Sequence, residues 1–474
     1  MNTHLYEIKS IPERLEANPY FTGKGITICV IDSGFYYHPD LTKPVNRILT
    51  IKDIATPQRK DSYYKYPHND NWHGMMTSIV AAGNGSLSNG RYRSIAPNAN
   101  LVLLRVKTVL GISATNISRG IRWAIENKER YNIRIINLSI TDDYPLPAKE
   151  SIVSIAAEEA FEKGIVVVAA AGNNPNAPLK QPASSPNVIT VGGIVDNYSQ
   201  NTTGIKLYHS TYGKTLDNLY KPEILAPADF IPSPILPGSE KESDAEILFE
   251  VLNLPEEKID AFAKKHKHII NFQRLFGKRN NISLKEKAMR MIAEMKLIDP
   301  NYMTGDGTSL AAPIVCSVIA QMLEVNPHLS PQNVRDILID TAVHLKNRPA
   351  IRQGAGVINP KAAVNSAEIS TSKPVIDHQN SPVIDYEKNI MIFRFKDSNA
   401  TRVNLCGTFN NWDKNSFMLR KRRAGWWMIE LPLLKQGKFF YKYLVDSTKW
   451  EIDRLNPIKE PDPFNGFNSV VEIK

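Results

Sequence analysis

The sequence predicts an α/β domain built on a parallel sheet, followed by a small β-sandwich. Between residues 25 and 367, short apolar runs alternate with longer amphipathic segments, which is the pattern of a parallel sheet covered by helices. Beyond residue 383, short strands follow one another at close intervals with turn residues between them, as in a sandwich. Residues 238–300 have the pattern of helices alone, so we expect a helical subdomain inserted into the α/β domain.

The sequence therefore divides into two domains and a linker. The α/β domain covers residues 1–367, with the insertion at 238–300. Residues 368–383 are polar, contain two prolines and lack periodicity, which favours a linker. Residues 384–474 form the C-terminal module, long enough for one immunoglobulin-like β-sandwich.

Each predicted strand of the α/β domain is a nearly continuous run of Val, Ile, Leu and Ala, as expected when both sheet faces are covered. These strands are Gly25–Asp32, Asn100–Lys107, Ile133–Ser139, Ile165–Ala171 and Val188–Val191. The predicted helices are His73–Ala82, Ala114–Lys128, Lys149–Lys163 and Ala311 to about Val325, with Ser243–Leu252, Pro255–Phe276 and Leu284–Ile298 in the insertion. The predicted strands of the module are Asn389–Lys396, Arg402–Thr408, Ser416–Arg420, Trp426–Leu431, Lys438–Val445 and Ser469–Ile473.

The composition is that of an ordinary globular protein, 42% hydrophobic and 22% charged. The net charge of +10 is scattered along the chain, so we expect no nucleic-acid partner. Three widely spaced cysteines predict neither a disulfide framework nor a metal site. The N-terminus lacks a signal-peptide pattern and no stretch is suited to spanning a membrane, so we expect a cytoplasmic protein without a membrane partner.

Four polar residues at the ends of predicted elements could form a catalytic site. Ser309 follows a glycine turn and precedes an apolar helix, a position where helix N–H groups can stabilise negative charge. Asp32 and Asn173 end strands, and His73 opens a helix. Together they supply a nucleophile, a base, a group that orients the base and an amide donor. Taken singly, each has an ordinary alternative: a helix cap, a packed histidine or a turn residue.

These residues lie in motifs that resemble those of a known family. The stretches Val30-Ile31-Asp32-Ser33-Gly34, His73-Gly74-Met75-Met76-Thr77 and Gly307-Thr308-Ser309-Leu310-Ala311-Ala312-Pro313 are similar to the three active-site motifs of the subtilases. The resemblance covers about residues 10–367 outside the insertion, and includes features of the intracellular subtilases of Gram-positive bacteria. It implies a subtilisin-like fold and hydrolysis of polypeptides without a cofactor for the chemistry.

The resemblance also implies roles for individual residues. Ser309 would attack the scissile carbonyl, His73 would take its proton, and Asp32 would orient the imidazole. Asn173 and the Ser309 N–H would hold the oxyanion. The substrate would lie as an extended strand beside Ile112–Thr115 and Leu138–Ile140, which makes Ser139, Ile140 and Thr141 the candidate substrate-binding residues.

The sequence departs from the family pattern in two ways. Where relatives carry Ser-x-Gly, this chain has Ser139-Ile140-Thr141 followed by Asp142 and Asp143, so we expect a narrower or more negative first specificity pocket. The catalytic domain begins close to Met1, so we expect folding and restraint without the usual propeptide.

A structural calcium ion is a further expectation. Asp40 matches a position that binds calcium in many subtilases, and the oxygen-bearing loop at 83–89 suits a hard cation. The alternative is that Asp40 is an ordinary turn residue. The insertion is also open to several interpretations: a lid, a docking surface for a partner, or a decorated loop.

The C-terminal module resembles the glycogen-binding modules, carbohydrate-binding family 48, of AMP-activated kinase β subunits and branching enzymes. The likeness rests on the stretches Val403–Trp412 and Phe440–Asp446, and on Trp450. It implies that Trp412 and Trp450 stack on glucose rings while Lys442 and Asn468 bind hydroxyl groups, with Phe464 at an apolar position of the family. The alternatives are packing roles for the tryptophans, or a module that binds only proteins.

The sequence thus predicts a serine endopeptidase with an appended module for α-glucan or protein binding. The competing hypothesis is a catalytically restrained scaffold that presents this module to glycogen or to a protein partner.

Overall fold

The computed structural model describes residues 8–142, 144–196, 204–276, 282–369, 381–386, 389–422, 425–456, 458–464 and 466–473. The chain divides into two compact units, Met1–Thr371 and Ser372–Lys474. Most of the predicted linker, and Asp143, lie outside the described residues.

The first unit is built on seven parallel strands. They are β1 Thr27–Asp32, β2 Ile48–Asp53, β3 Asn100–Arg105, β4 Ile133–Leu138, β5 Val166–Ala170, β6 Ile189–Val195 and β7 Ile224–Pro227. Their order across the sheet is β2-β3-β1-β4-β5-β6-β7, and the short strand Lys206–Leu207 pairs antiparallel with β6. The five predicted strands are confirmed; β2 and β7 were not predicted, because β2 is polar at alternate positions and β7 ends in a proline.

The order of the strands places a switch point beside β1. The chain builds β2 and β3 on one side of β1, then crosses to add β4 on the other. Ligands of open α/β sheets bind outside the carboxyl ends of strands at such a point. Asp32 is the last residue of β1, so the sheet itself brings it to this position.

Ten helices of seven or more residues are present among the described residues. They are α1 Trp72–Ala82, α2 Ala114–Glu126, α3 Ile152–Glu162, α4 Glu240–Asn253, α5 Glu256–His266, α6 Ile270–Phe276, α7 Leu284–Glu294, α8 Thr308–Val325, α9 Pro331–Thr341 and α10 Pro360–Ile369. Single-turn helices occur at Ile11–Arg14, Pro39–Thr42, Lys128–Tyr131 and Ala350–Gln353.

Helices cover both faces of the sheet. Ile28 and Val30 of β1 pack into the core that includes α1 and α8, whereas Cys29 and Ile31 pack into the core that includes α2 and α3. Helix α8 is long and apolar enough to cross a membrane by length and composition, but 83% of its 18-residue window is buried in this core. It begins at Thr308, three residues before the predicted start.

The insertion has its own apolar core, formed by α4 to α7. The predicted helix Pro255–Phe276 is two helices, because the chain turns after His266 and packs Phe272 back against Phe262, with ring centroids 6.0 Å apart. The predicted helix Leu284–Ile298 ends at Glu294, and Lys296 has a left-handed backbone (φ 56°).

Strands rather than helices connect the insertion to the domain. We number them β8 Ile231–Pro234, β9 Leu297–Asp299 and β10 Tyr302–Gly305. Strand β10 pairs antiparallel with both others. Since β10 runs directly into the turn before Ser309, the insertion is carried on a hairpin whose second strand enters that turn.

The second unit is a β-sandwich, as predicted. Its strands are β11 Val383–Asp385, β12 Ile390–Lys396, β13 Val403–Gly407, β14 Arg420–Lys421, β15 Trp426–Pro432, β16 Gly437–Val445, β17 Lys449–Glu451, β18 Lys459–Pro461 and β19 Phe467–Ile473. One sheet has the order β11-β12-β15-β14 and the other β13-β16-β19-β18, with β17 paired to β16. Of the predicted strand Ser416–Arg420, only its end forms part of a strand, with Met418 in an isolated bridge to Asn404.

Candidate active site

Asp32 and His73 form a directly hydrogen-bonded pair. His73 Nδ1 lies 2.7 Å from Asp32 Oδ1, and Asp32 is fully buried. The Ser33 N–H donates to the same carboxylate at 2.6 Å, and the Thr77 hydroxyl donates to Oδ2 at 3.2 Å. The negative charge of Asp32 raises the pKa of His73 above its ordinary value of 6.5, and this effect outweighs the opposing effect of burial.

Close backbone packing positions His73 against Asp32. Gly74 lies so near the chain after β1 that an added Cβ would come 2.0 Å from the Gly34 carbonyl oxygen. Any side chain there would therefore push α1 away from Asp32. The turn before α1 is anchored as well, since Asp70 pairs with Lys107 at 2.7 Å.

The turn before α8 brings Ser309 and Asn173 together. Gly307 has φ 134°, a conformation that favours glycine, and a Cβ there would lie 3.3 Å from Ser309 Oγ and 3.4 Å from Asn173 Nδ2. Asn173 Oδ1 accepts hydrogen bonds from the N–H and the hydroxyl of Thr308, each at 2.9 Å. The amide oxygen of Asn173 is thereby engaged, which leaves its NH2 group as the end that can donate to a ligand. Ser309 lies in the first turn of α8, where N–H groups lack helical acceptors.

Two buried hydrogen bonds through Ser139 also hold the backbone of Ser309. Ser139 Oγ donates to the Ser309 carbonyl at 2.9 Å and accepts from Asn137 Nδ2 at 3.0 Å. Ser139 and Ile140 are buried and Thr141 is exposed. The Ser139 side chain is thus engaged within the protein itself. The assignment of Ser139, Ile140 and Thr141 to substrate binding stays a prediction, and it concerns their backbone groups and the Thr141 side chain.

Packing joins the helix of His73 to the helix of Ser309. Ser317 Oγ in α8 donates to the Ala81 carbonyl of α1 at 2.6 Å. Met76 Sδ lies 3.4 Å from where a Cβ would stand on Gly305. The helices that carry His73 and Ser309 are therefore packed directly against each other.

A cluster of charges supports the serine turn. Asp306 accepts the Phe230 N–H at 3.0 Å and forms an ion pair with Lys296 at the end of the insertion. Burial, and then a hydrogen bond to Asp306, raise the pKa of Asp229 to about 6. Sequence analysis missed this cluster because its members come from three separate segments.

The residues around Asp40 do not fit a calcium site. Asp40 is fully buried, with Oδ2 accepting from the Tyr302 hydroxyl at 2.7 Å and Oδ1 from the Leu87 N–H at 3.1 Å. Asn84 Oδ1 is likewise engaged by the Ser86 N–H at 3.0 Å. Within the described residues, no group of three or more His, Cys, Asp or Glu side chains is placed to hold a metal. Protein donors occupy the oxygens that a cation would need.

The sugar-binding candidates of the module gather on the outer face of one sheet. Tyr441 and Tyr443 of β16 are buried in the core, so Lys442 between them points to the other face. Trp450 lies opposite Leu444 on that face, and its ring contacts Trp412 with centroids 6.2 Å apart at 69°. Asn468 lies on the adjacent strand β19, next to Ser469, which pairs with Tyr441, so it alternates to the same face as Lys442. Lys442 is paired with Asp462, and Phe464 nearby in sequence is 88% exposed.

Comparison with known proteins agrees with this geometry. Residues 23–357 match the family described as the subtilase family, peptidase S8. The chain belongs to the subtilase family. Residues 382–459 match carbohydrate-binding module 48, described as the isoamylase N-terminal domain. The protein is therefore a subtilase-type serine peptidase with an appended module of this kind.

Individual relatives are moderately similar to this subtilase. Serine protease AprX of Bacillus subtilis (strain 168) is 30% identical over 353 residues, which cover 72% of this chain and 67% of that protein. Subtilisin Savinase of Lederbergia lenta is 24% identical over 73% of this chain and 93% of its own length. Among solved structures, sphericase superposes with a TM-score of 0.51 and 21% identity over 75% of this chain and 98% of that chain, and shares the fold.

Proposed function

We propose that this subtilase is an endopeptidase in which Ser309, His73 and Asp32 act as the catalytic triad. Nδ1 of His73 faces Asp32, which leaves Nε2 to accept the proton from the Ser309 hydroxyl as its oxygen attacks the scissile carbonyl. The protonated imidazole then gives that proton to the leaving amine. Water attacks the resulting acyl-enzyme by the same route, with His73 again acting as base, and releases the acid.

The oxyanion would be held by Asn173 Nδ2 and the Ser309 N–H. Asn173 is oriented by the two bonds from Thr308 to its Oδ1, so that its NH2 group is the available donor. Each such preorganised donor contributes about 10²–10³-fold to the rate in enzymes of this kind. The chemistry requires no metal or cofactor.

The single observation that carries the proposal is the 2.7 Å contact between His73 Nδ1 and buried Asp32. A buried carboxylate in that position fixes the imidazole tautomer and stabilises the imidazolium, which a scaffold would not need. The substrates are polypeptides, bound as extended strands beside Ile112–Thr115 and Leu138–Ile140.

Fluorophosphonate labelling tests this function against the competing scaffold hypothesis. The folded enzyme should be labelled at Ser309, and Ser309→Ala should abolish labelling. His73→Ala should slow it by orders of magnitude, because an unactivated serine reacts poorly. If folded wild-type protein is not labelled and does not hydrolyse an unfolded protein substrate, the scaffold hypothesis is correct.

We further propose that the module binds an α-glucan. The support is the shared outer face of Trp412, Lys442, Trp450 and Asn468, which combines two aromatic rings with polar groups as sugar sites require. Co-sedimentation with glycogen should fall in the double variant Trp412→Ala/Trp450→Ala. The single variant Phe464→Ala tests whether this exposed ring also contributes to glycogen binding. Equal retention of wild type and double variant would leave protein binding as the module's role.

The cellular location is also a proposal: the cytoplasm. Cys29, Cys316 and Cys406 are free and buried, which suits a reducing compartment. Cell fractionation with an antibody to the chain tests this.

A further inference from the structure

A cavity lies between the helix of His73 and the insertion. Its volume is about 290 Å³, and its walls include Asn69 and Trp72, Ile235 and Leu236, and Met303. Trp72 immediately precedes His73, and Met303 belongs to β10, the strand that leads into the Ser309 turn. We call this space the insertion cavity. One wall of the cavity therefore adjoins His73 in the sequence, and the other leads to Ser309.

The cavity is a fixed part of the fold. Trp72 Nε1 donates to the Pro234 carbonyl at 3.2 Å, which ties α1 to the start of the insertion. Ile235 and Leu236 are buried, at 2% and 5% exposure, and belong to two different cores. The apolar walls therefore belong to packed elements and would keep their shape when a substrate binds.

Lys241, in the first turn of α4, is the one cation among the described residues that line this cavity. Its ammonium contacts Met303 Sδ at 3.5 Å, and no carboxylate among the described residues forms an ion pair with it. The neighbouring acids are engaged elsewhere: Glu240 with Arg274, and Glu242 with the Gly238 N–H at 2.6 Å.

This placement is unfavourable for a lysine that has only a structural role. Burial lowers the pKa of Lys241, which reflects the cost of holding its charge there. A positive charge in the first turn of a helix also opposes the helix dipole. An anionic group bound in the cavity would offset both effects, and the nearby apolar walls would pack against the carbon atoms that carry it.

We propose that the insertion cavity is a substrate pocket in which Lys241 selects an acidic side chain. The cavity shares no residue with Ile112–Thr115 or Leu138–Ile140, the segments proposed to bind the acyl side of the substrate. In this proposal the pocket takes a residue on the leaving-group side of the scissile bond, away from those two segments. This inference rests on the proposed peptidase function and gives the insertion a role in specificity.

The test uses full-length enzyme and a set of quenched fluorescent peptides that share one cleaved sequence. Each position from the first to the fourth after the scissile bond carries in turn Glu or its uncharged isostere Gln. At one position, wild type should cleave the Glu peptide about tenfold faster in kcat/KM than the Gln peptide, as expected for a partly buried charge-assisted hydrogen bond. The four positions before the bond are scanned in the same way, and a Glu preference found only there would overturn the assignment to the leaving-group side.

Two variants locate the effect. Lys241→Met keeps the length of the side chain and should bring the Glu:Gln ratio of kcat/KM to about one. Lys264→Met removes an exposed lysine of α5 and should keep the wild-type ratio. Thermal unfolding confirms that each variant is folded.

The outcomes separate this inference from the peptidase function. Active wild type with the same Glu:Gln ratio as Lys241→Met at all eight positions overturns the pocket and leaves the peptidase intact. If no peptide is hydrolysed, the peptidase proposal fails, and fluorescence anisotropy of the same peptides on Ser309→Ala still decides the pocket. In that assay, the pocket is overturned if Ser309→Ala and the double variant Ser309→Ala/Lys241→Met bind the Glu peptide with equal affinity.

Discussion

The Tyr302 hydroxyl donates a 2.7 Å hydrogen bond to Oδ2 of Asp40, and both side chains are fully buried. The two residues are 262 positions apart. Tyr302 begins β10, so this bond fastens the strand that leads to Ser309 onto the segment after β1. The insertion is thus joined to the catalytic domain by a buried polar contact as well as by its hairpin.

Replacing Tyr302 with Phe should destabilise the first unit. The change keeps the ring and removes the hydroxyl, so the buried Asp40 carboxylate loses the donor to its Oδ2. The expected loss is about 1–3 kcal/mol in the free energy of unfolding. Thermal unfolding measures it, with Tyr220→Phe as the matched control because Tyr220 is 64% exposed. Equal Tm values for the two variants would contradict the role given to this bond.

Chelation should leave the stability of this peptidase unchanged. Both Asp40 oxygens already accept hydrogen bonds from protein groups, so a calcium ion would have to displace them. We therefore expect the same Tm in EDTA and in millimolar calcium. A calcium-dependent rise in Tm that persists in Asp40→Asn would reveal a calcium site elsewhere. A rise that is lost in Asp40→Asn would place the calcium site at Asp40.

Sequence reasoning located the catalytic candidates because each lies in a short local motif. Asp32 ends a strand and His73 lies at the start of a helix, and a parallel sheet brings such positions to one edge. The turn at Gly307 is indicated by the glycines in the sequence itself. The contacts of Tyr302 with Asp40 and of Lys296 with Asp306 could not be found this way, since each depends on how separate segments pack. For the same reason, Leu297 and Ile298, which begin β9, were predicted as the end of a helix.

Asn173→Asp should be nearly as damaging as Asn173→Ala. Aspartate keeps an oxygen that can accept from Thr308, but it replaces the NH2 group with a second, negatively charged acceptor. We expect kcat to fall at least about 10²-fold in both variants with KM little changed, because the lost interaction forms only with the oxyanion. Steady-state kinetics on a peptide substrate measure this. Activity retained in Asn173→Asp alone would show that Asn173 only positions Thr308.

The pH dependence of kcat/KM should report His73. The charge of Asp32 raises the pKa of this imidazole above 6.5, and only the neutral form can accept the Ser309 proton. Activity should therefore rise with pH, with its midpoint above 6.5. A profile of kcat/KM from about pH 5 to pH 9 tests this. The rate of fluorophosphonate labelling should follow the same curve, and a midpoint below 6.5 in both assays would contradict the pairing of His73 with Asp32.

Asp229→Asn should stabilise the enzyme at alkaline pH and not at acidic pH. Burial raises the pKa of Asp229 from 3.8 to about 6, where its protonated carboxyl can donate to Asp306. Between these two values the folded state binds more protons than the unfolded state, so the stability of wild type falls as the pH rises. Above about 6 the full cost of the ionised carboxylate is present. An asparagine amide can donate to Asp306 without ionising, so it removes that cost.

Thermal unfolding at about pH 4 and pH 8 measures the difference. The Tm of Asp229→Asn relative to wild type should be higher at the alkaline pH, while Asp260→Asn, at an exposed site of α5, should show no such change. If the variant gains the same amount at both values, the proton at Asp229 is not linked to folding. A gain in Tm confined to alkaline pH would mean that the two neighbouring carboxylates, Asp229 and Asp306, lower stability when both are ionised. This would occur in the pH range where His73 is neutral and the enzyme is active.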